Sequence, residues 1–313
     1  MKADIKTPDR PYTILLFYKY TDIADPEALR DSQKELMAEL NLKGRTLIST
    51  EGINGTLAGL DADTEEYIRA MHTDPRFSDI FFKKEYYHKN PFPGIRVKVR
   101  TEIVASGKAK EYDETIVPQK LSPKEFHKMM QEDNVVILDA RNNFEARIGR
   151  FKNAITPDID HFRDFPEWMD QHKDVVRGKK VLMYCNGNIR CEKSSIYVDS
   201  LKEAEEVYSL QDGIVNYTAE IPDGLWEGSL YVFDDRTQVQ LNDDEHHTII
   251  STCDFCDTAC DTYYNCSNAE CNKMVILCDE CAENSNGACS EDCSKKHRAG
   301  VVKKWNIKTR TAE

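Results

Sequence analysis

The sequence predicts an α/β protein in three parts: a ferredoxin-like domain, an open α/β domain and a small cysteine-rich, zinc-binding module. Three observations point there. Strand and helix signals alternate in β-α-β-β-α-β order over the first hundred residues. Short, continuous apolar runs separated by helical stretches follow, as a parallel sheet buried on both faces requires. Nine of the eleven cysteines then crowd between Cys253 and Cys293. A length of 313 residues is generous for one domain and comfortable for two with a small third. The expected boundaries are 1–104, a linker over 105–120, 121–245, and 246–313 for the cysteine-rich module and tail.

The first strand is read from Thr13-Ile-Leu-Leu-Phe-Tyr18. Asp25-Pro26 opens a helix with an acidic N-cap and proline at the first helical position. Leu29, Leu36, Met37 and Leu40 recur at helical spacing and give it one apolar face. Thr46-Leu-Ile-Ser-Thr50 and Thr56-Leu-Ala58 flank Glu51-Gly-Ile-Asn-Gly55, where the Asn-Gly pair is expected to make a tight hairpin. Asp63 and Glu66 mark a second helix start, and extended segments follow near 80–86 and 95–99.

The second domain begins at Ser122-Pro-Lys-Glu125, where serine, proline and glutamate are placed for a capping box. Val135-Val-Ile-Leu-Asp139, Val181-Leu-Met-Tyr184 and Glu206-Val-Tyr-Ser-Leu210 are its strands. In such folds the functional loops lie at the carboxyl ends of the strands. Cys185 falls at one, directly before a helix, where converging backbone N–H groups and the helix N-terminus stabilise an anion. That environment lowers a thiol's pKa and makes it nucleophilic near neutral pH. Arg190 adds a fixed positive charge. A buried structural cysteine is the plain alternative, but the glycine, asparagines and arginine beside it argue against one. Four residues separate Cys185 from Arg190, one fewer than a protein-tyrosine-phosphatase cradle uses. The shorter loop suits a smaller anion or a sulfane sulfur on the cysteine, which points to rhodanese-type chemistry.

Composition narrows the remaining classes. With 40% apolar and 31% charged residues, and no apolar run near the roughly 18 residues of a membrane span, a soluble chain with no membrane partner is expected. The charge-alternating N-terminus has no apolar signal region, so a cytoplasmic location is expected. The net charge of −13 argues on average against nucleic acid, but the average hides an asymmetry. Between residues 83 and 110, Lys83, Lys84, Lys89, Arg96, Lys98, Arg100, Lys108 and Lys110 outnumber two acids, and Tyr86, Tyr87 and Phe92 lie among them. That mixture suits phosphate contacts with base stacking, although such runs are commonly just solvated faces.

In a reducing compartment the clustered cysteines read as metal ligands. Short pairs at Cys253/Cys256, Cys266/Cys271, Cys278/Cys281 and Cys289/Cys293 suit two tetrathiolate zinc sites. Alternating pairs interleave in cross-braced modules, so Cys253, Cys256, Cys278 and Cys281 are expected to share one ion, and Cys266, Cys271, Cys289 and Cys293 the other. Cys260 is left over. Disulfides, a single occupied site and an iron–sulfur cluster are the alternatives. No flavin or nicotinamide glycine fingerprint is present, and His172-Lys-Asp174, in a charged stretch, reads as a solvated helix end rather than an iron triad.

Leu138-Asp-Ala-Arg-Asn-Asn-Phe-Glu145 with Ile148-Gly-Arg-Phe-Lys-Asn-Ala154 resembles the first rhodanese signature, and Cys185-Asn-Gly-Asn-Ile-Arg-Cys-Glu-Lys193 resembles the active-site loop. With Glu51-Gly-Ile-Asn-Gly-Thr56, Arg96-Val-Lys-Val-Arg-Thr-Glu-Ile-Val104 and Tyr231-Val-Phe-Asp-Asp-Arg236, the set resembles the bacterial tRNA uridine-34 hydroxylases from about residue 14 to 293. The resemblance implies an acylphosphatase-like first domain and a rhodanese second domain. It also implies formation of 5-hydroxyuridine at the wobble position, with molecular oxygen as co-substrate. Neither the electron donor nor the oligomeric state is identified by any motif. Cys185 maps to the catalytic cysteine, within a loop of Asn186, Gly187, Asn188, Ile189, Arg190 and Cys191. The implied partner is tRNA, not DNA, bound in part by Lys83, Lys84, Lys89, Arg96, Lys98 and Arg100. The sequence departs from the family loop, Cys-Thr-Gly-Gly-Ile-Arg-Cys, at Asn186 and Asn188. Asparagine tolerates left-handed backbone, so the loop shape is expected to survive. Arg150 stands where rhodaneses usually have histidine. The second reading is a rhodanese-type sulfurtransferase carrying a persulfide on Cys185, and a third is a non-enzymatic zinc-bearing interaction protein.

Overall fold

In the computed structural model of the chain, the structure describes residues 7–107, 119–242, 245–268, 270–271, 273–298, and the backbone of 305–306 and 311–312. Most of the expected linker lies outside these residues, as do Lys108 and Lys110. The chain forms two compact units.

The first unit contains two sheets. Strands β1 (Tyr12–Tyr20), β2 (Lys43–Ser49), β3 (Gly52–Leu60) and β4 (Lys83–Tyr87) stand in the order β4-β1-β3-β2 and pair antiparallel. This is the split β-α-β-β-α-β sheet, and β5 (Ile95–Val99) extends it by pairing parallel to β2. Helix α1 (Pro26–Glu39) begins as expected, with the Asp25 carboxylate accepting from Ala28 N at 3.0 Å. Helix α2 (Asp61–Thr73) starts two residues before Asp63, where Asp61 accepts from the Thr13 hydroxyl of β1 at 3.0 Å.

The hairpin differs from expectation. The turn lies at Thr50-Glu51, and Asn54-Gly55 sits inside β3. Gly55 is there because a Cβ would lie 2.4 Å from the Phe17 ring, and Asn54 donates from its amide to the Ile103 carbonyl at 2.9 Å. Gly52, at φ +146°, provides the left-handed freedom at the start of the strand.

The second sheet is wholly parallel, in the order β6-β10-β9-β7, from β6 (Gln119–Leu121), β7 (Val135–Asp139), β9 (Lys180–Tyr184) and β10 (Glu206–Leu210). Helix α3 (Pro123–Met129) carries the capping box, with Ser122 and Glu125 bonding reciprocally. Two short helices, α4 (Asn143–Ile148) and α5 (Phe165–Gln171), fall between β7 and β9 in the chain. Helices α6 (Ile189–Ser200) and α7 (Gly213–Glu220) follow β9 and β10, so both of their N-termini lie at the carboxyl edge of the sheet.

The second unit holds Phe144–Lys152, Trp226–Gln240 and the cysteine-rich region. Strands β8 (Gly149–Phe151), β11 (Trp226–Tyr231) and β12 (Gln238–Gln240) form its three-stranded antiparallel sheet. A hairpin of β13 (Tyr263–Asn265) and β14 (Met274–Ile276) and helices α8 (Asp279–Ser285) and α9 (Glu291–Arg298) surround the cysteines. Among the described residues, no helix is long and apolar enough to cross a membrane.

Candidate active site

Cys185 directly follows β9, and the chain turns into α6 through Asn188, the N-cap, at φ +78°. An asparagine therefore adopts the left-handed conformation the loop needs. The wall opposite is the start of α7. Gly213, at φ +75°, lies so close that a Cβ would stand 2.4 Å from the Asn186 carbonyl oxygen and 2.6 Å from that of Cys185. Ile214 N donates to the Cys185 carbonyl at 3.1 Å.

Cys185 and Cys191 are both buried free thiols. Burial alone would push the Cys185 thiol up. The Cys191 thiol donating to it, the Arg190 charge and the backbone N–H groups of Arg190 and Cys191 outweigh burial and bring it down to about 5. Cys191 moves the opposite way, raised by burial and by the hydrogen bond it gives to Cys185. The loop therefore holds one thiolate and one thiol donor at neutral pH. Beside it, Asp139 and Arg141 form a fully buried ion pair at 2.6 Å, and the guanidinium lies 5.5 Å from the ring of Tyr184, the residue before Cys185.

The first domain forms the remaining wall. Lys83 Nζ donates to the Gly187 carbonyl at 3.2 Å and also to the Asp212 carbonyl. Burial brings its pKa down to about 8, while Asp212, Cys185 and Glu85 pull it upward. Tyr18 donates to Glu192 at 2.8 Å and Tyr20 donates to the Ile189 carbonyl at 3.4 Å, while Lys120, from β6 of the second sheet, also reaches Glu192 at 2.6 Å. Lys193 is clamped between Glu51 at 2.7 Å and Glu102 at 3.3 Å.

In the second unit the cysteines gather as two sets, Cys253, Cys256, Cys278 and Cys281, and Cys266, Cys271, Cys289 and Cys293. Within each set all the sulfurs lie within 4.8 Å of one another. Cys256–Cys278 and Cys271–Cys289 are each 3.6 Å apart. A tetrahedral Zn–S bond of about 2.3 Å sets the sulfurs roughly 3.8 Å apart, so the donor sets fit such an ion. Cys260 belongs to neither, and burial pushes its thiol up to about 12.

Comparison with known proteins decides the family. Residues 12–103 match the UPF0176 acylphosphatase like domain, 122–220 the rhodanese-like domain and 227–294 the rhodanese C-terminal family. The tRNA uridine(34) hydroxylase of Staphylococcus haemolyticus is 44% identical over 300 residues, covering 95% of this chain and 93% of that protein. That of Staphylococcus carnosus is 43% identical, covering 95% and 94%. The chain belongs to the tRNA uridine(34) hydroxylase family.

The expected basic residues divide. Lys89, Arg96, Lys98 and Arg100 are exposed. Lys84 pairs with Glu65. Lys83 stands apart: its side chain is only 11% exposed, and its amine turns into the cysteine loop. His172 stacks on Trp168 and bonds its carbonyl at 2.7 Å, a structural role. A second such triplet, His72-Thr-Asp74, is similarly engaged, His72 with the Ile80 carbonyl and Asp74 with Arg76. Arg150 donates to the Ala146 carbonyl at 3.2 Å.

Sequence reasoning missed the roles of Tyr18, Tyr20, Glu51, Glu102, Glu192 and Lys193. A signal existed, because Glu51 and Glu102 lie in the family's first two motifs and Glu192-Lys193 ends the loop motif. The three motifs converge on one helix of this hydroxylase-family chain.

Proposed function

We propose that this chain converts uridine 34 of tRNA to 5-hydroxyuridine, with Cys185 as the reacting group of the protein. The observation that carries this reading is the similarity, at 43–44% identity over 95% of the chain, to proteins named tRNA uridine(34) hydroxylase. The geometry supports it: a thiolate held at about pKa 5 is a nucleophile at neutral pH, ready to act on an electron-poor pyrimidine. In overall balance, dioxygen gives one atom to carbon 5. The other leaves as water, with two electrons and two protons from an external reductant.

Exposed Lys89, Arg96, Lys98 and Arg100 bind tRNA phosphates in this reading, and the two four-cysteine sets hold structural zinc. The work is placed in the cytoplasm, where tRNA is modified and thiols stay reduced. Sulfur transfer through a Cys185 persulfide uses the same short loop and is the second reading. Nucleoside mass spectrometry of a deletion strain carrying the wild-type chain or Cys185→Ser separates them. Loss of 5-hydroxyuridine derivatives supports hydroxylation, and loss of thiouridine alone supports sulfur transfer. Full 5-hydroxyuridine with Cys185→Ser would sink the role given to this cysteine.

A further inference from the structure

Lys83, on β4, the edge strand of the first sheet, reaches into the cysteine loop. Its ammonium donates to two carbonyls from different loops: Gly187, which follows Cys185 by two residues, and Asp212, which precedes Gly213. Those loops are the two walls of the thiolate cradle, since Gly213 lies against the carbonyls of Cys185 and Asn186. Lys83 therefore ties the walls together at a point where neither has slack. A Cβ on Gly187 would stand 3.2 Å from Leu16 and 3.6 Å from Lys83 Nζ, and Lys83 pairs with Leu16 across the strands.

We propose that Lys83 is a positioning residue for Cys185: by bridging the Gly187 and Asp212 carbonyls with a buried charge, it keeps the cradle closed around the thiolate. The acylphosphatase-like domain then contributes to the reactive state of the rhodanese-like loop. An ammonium has three donors, so it satisfies two carbonyls and still presents positive charge to the site. The charged groups that act on it are Asp212, with Oδ1 at 3.9 Å, Cys185 and Glu85, while Arg190 acts on Cys185 from α6. In this buried setting a fixed cation favours the thiolate far more than a solvated one does. The proposal rests on Cys185 being the reacting thiol, whichever product it makes.

The test is the alkylation rate of Cys185 against pH, followed by mass spectrometry of its peptide in the full, zinc-loaded chain. Lys83→Met removes charge and donors, Lys83→Gln keeps donors but loses charge, and Lys83→Arg keeps charge. The neutral variants are expected to raise the midpoint by about one pH unit, and the arginine variant to restore part of the shift. A merely structural lysine would lower the melting temperature without moving the midpoint. Should Lys83→Met fail to fold, Lys83→Gln carries the measurement. A folded neutral variant with the wild-type midpoint overturns the proposal. Retention of 5-hydroxyuridine by Cys185→Ser would overturn the role of Cys185 on which the proposal rests, whereas an unmoved alkylation midpoint in a folded neutral variant would overturn the Lys83 coupling itself, so the two failures are distinct.

Discussion

The Lys193 ammonium lies 2.7 Å from Glu51 Oε2, joining the helix that follows the cysteine loop to the turn between β2 and β3. Glu51 is held in turn, because its Oε1 accepts from Ile103 N at 2.7 Å. Lys193 is 9% exposed and sits 5.6 Å from the Tyr20 ring centroid, so water does not replace the partner when one is removed. Lys193→Met leaves Glu51 and Glu102 as poorly solvated charges facing each other. The expected loss is about 3 kcal/mol, read as a lower urea midpoint. An unchanged midpoint would show that the clamp contributes nothing net.

The Cys185 thiol is depressed to about 5 from an ordinary value of 9.0, which fixes the sign of a pH effect. Between those values the unfolded chain binds the proton and the folded chain does not, so this group's stabilisation grows as pH rises. It is complete above about 9 and gone below about 5. Cys185→Ser should therefore flatten the rise of unfolding free energy over this window by one proton's worth of slope. Denaturation at a series of pH values measures it, and parallel curves for the two proteins would contradict the depressed thiol.

Much of this was legible in sequence because it is local. Asp25-Pro26, the Ser122–Glu125 box and the apolar strands carry their signals within a few residues, and cysteine pairs with two to four residues between them are chelates by spacing. Lys83 was illegible for the opposite reason. Its partners are 104 and 129 positions away, and a lysine in a basic run looks solvated until the fold places it under a loop. Asn54-Gly55 misled because the packing of Phe17 overrides local turn preference.

Asn188 and Gly213 make opposite predictions although both have positive φ. Asn188→Gly should fold and react like wild type, since glycine adopts φ +78° without strain, whereas Asn188→Val should cost about 1–2 kcal/mol. Gly213→Ala forces a methyl against the Cys185 and Asn186 carbonyls, which are backbone and cannot swing away. It should cost about 2 kcal/mol and lower 5-hydroxyuridine formation at least about tenfold. Thermal unfolding and nucleoside analysis of the three variants read both effects. An active Gly213→Ala protein would show that the cradle is less rigid than its packing implies.

The two four-cysteine sets predict a stoichiometry. Purified protein should carry two zinc ions per chain by elemental analysis and be colourless, because tetrathiolate zinc has no visible transition. Cys278→Ser should lower the content to one ion, since Cys278 belongs to one set only. Cys260→Ser should leave it at two, since Cys260 belongs to neither. Visible absorbance with iron in the analysis would instead assign the sites to an iron–sulfur cluster.

Along β5 the side chains alternate, Val97 buried and Arg96 and Lys98 exposed, so the two cations stand on one face with Arg100 just beyond the strand. In a chain of net charge −13, such a face is a local departure from an acidic average. Phosphate binding there releases counterions, and each neutralised phosphate adds about one unit to the slope of log affinity against log salt. Reversing Arg96, Lys98 and Arg100 to glutamate should weaken tRNA binding at low salt and make that slope shallower by about one for each phosphate no longer neutralised. The cysteine loop is untouched by these changes, so Cys185 alkylation should keep its midpoint. Unchanged tRNA affinity would exclude this face, whereas an altered alkylation profile would mean that the substitutions had disturbed the fold rather than the surface.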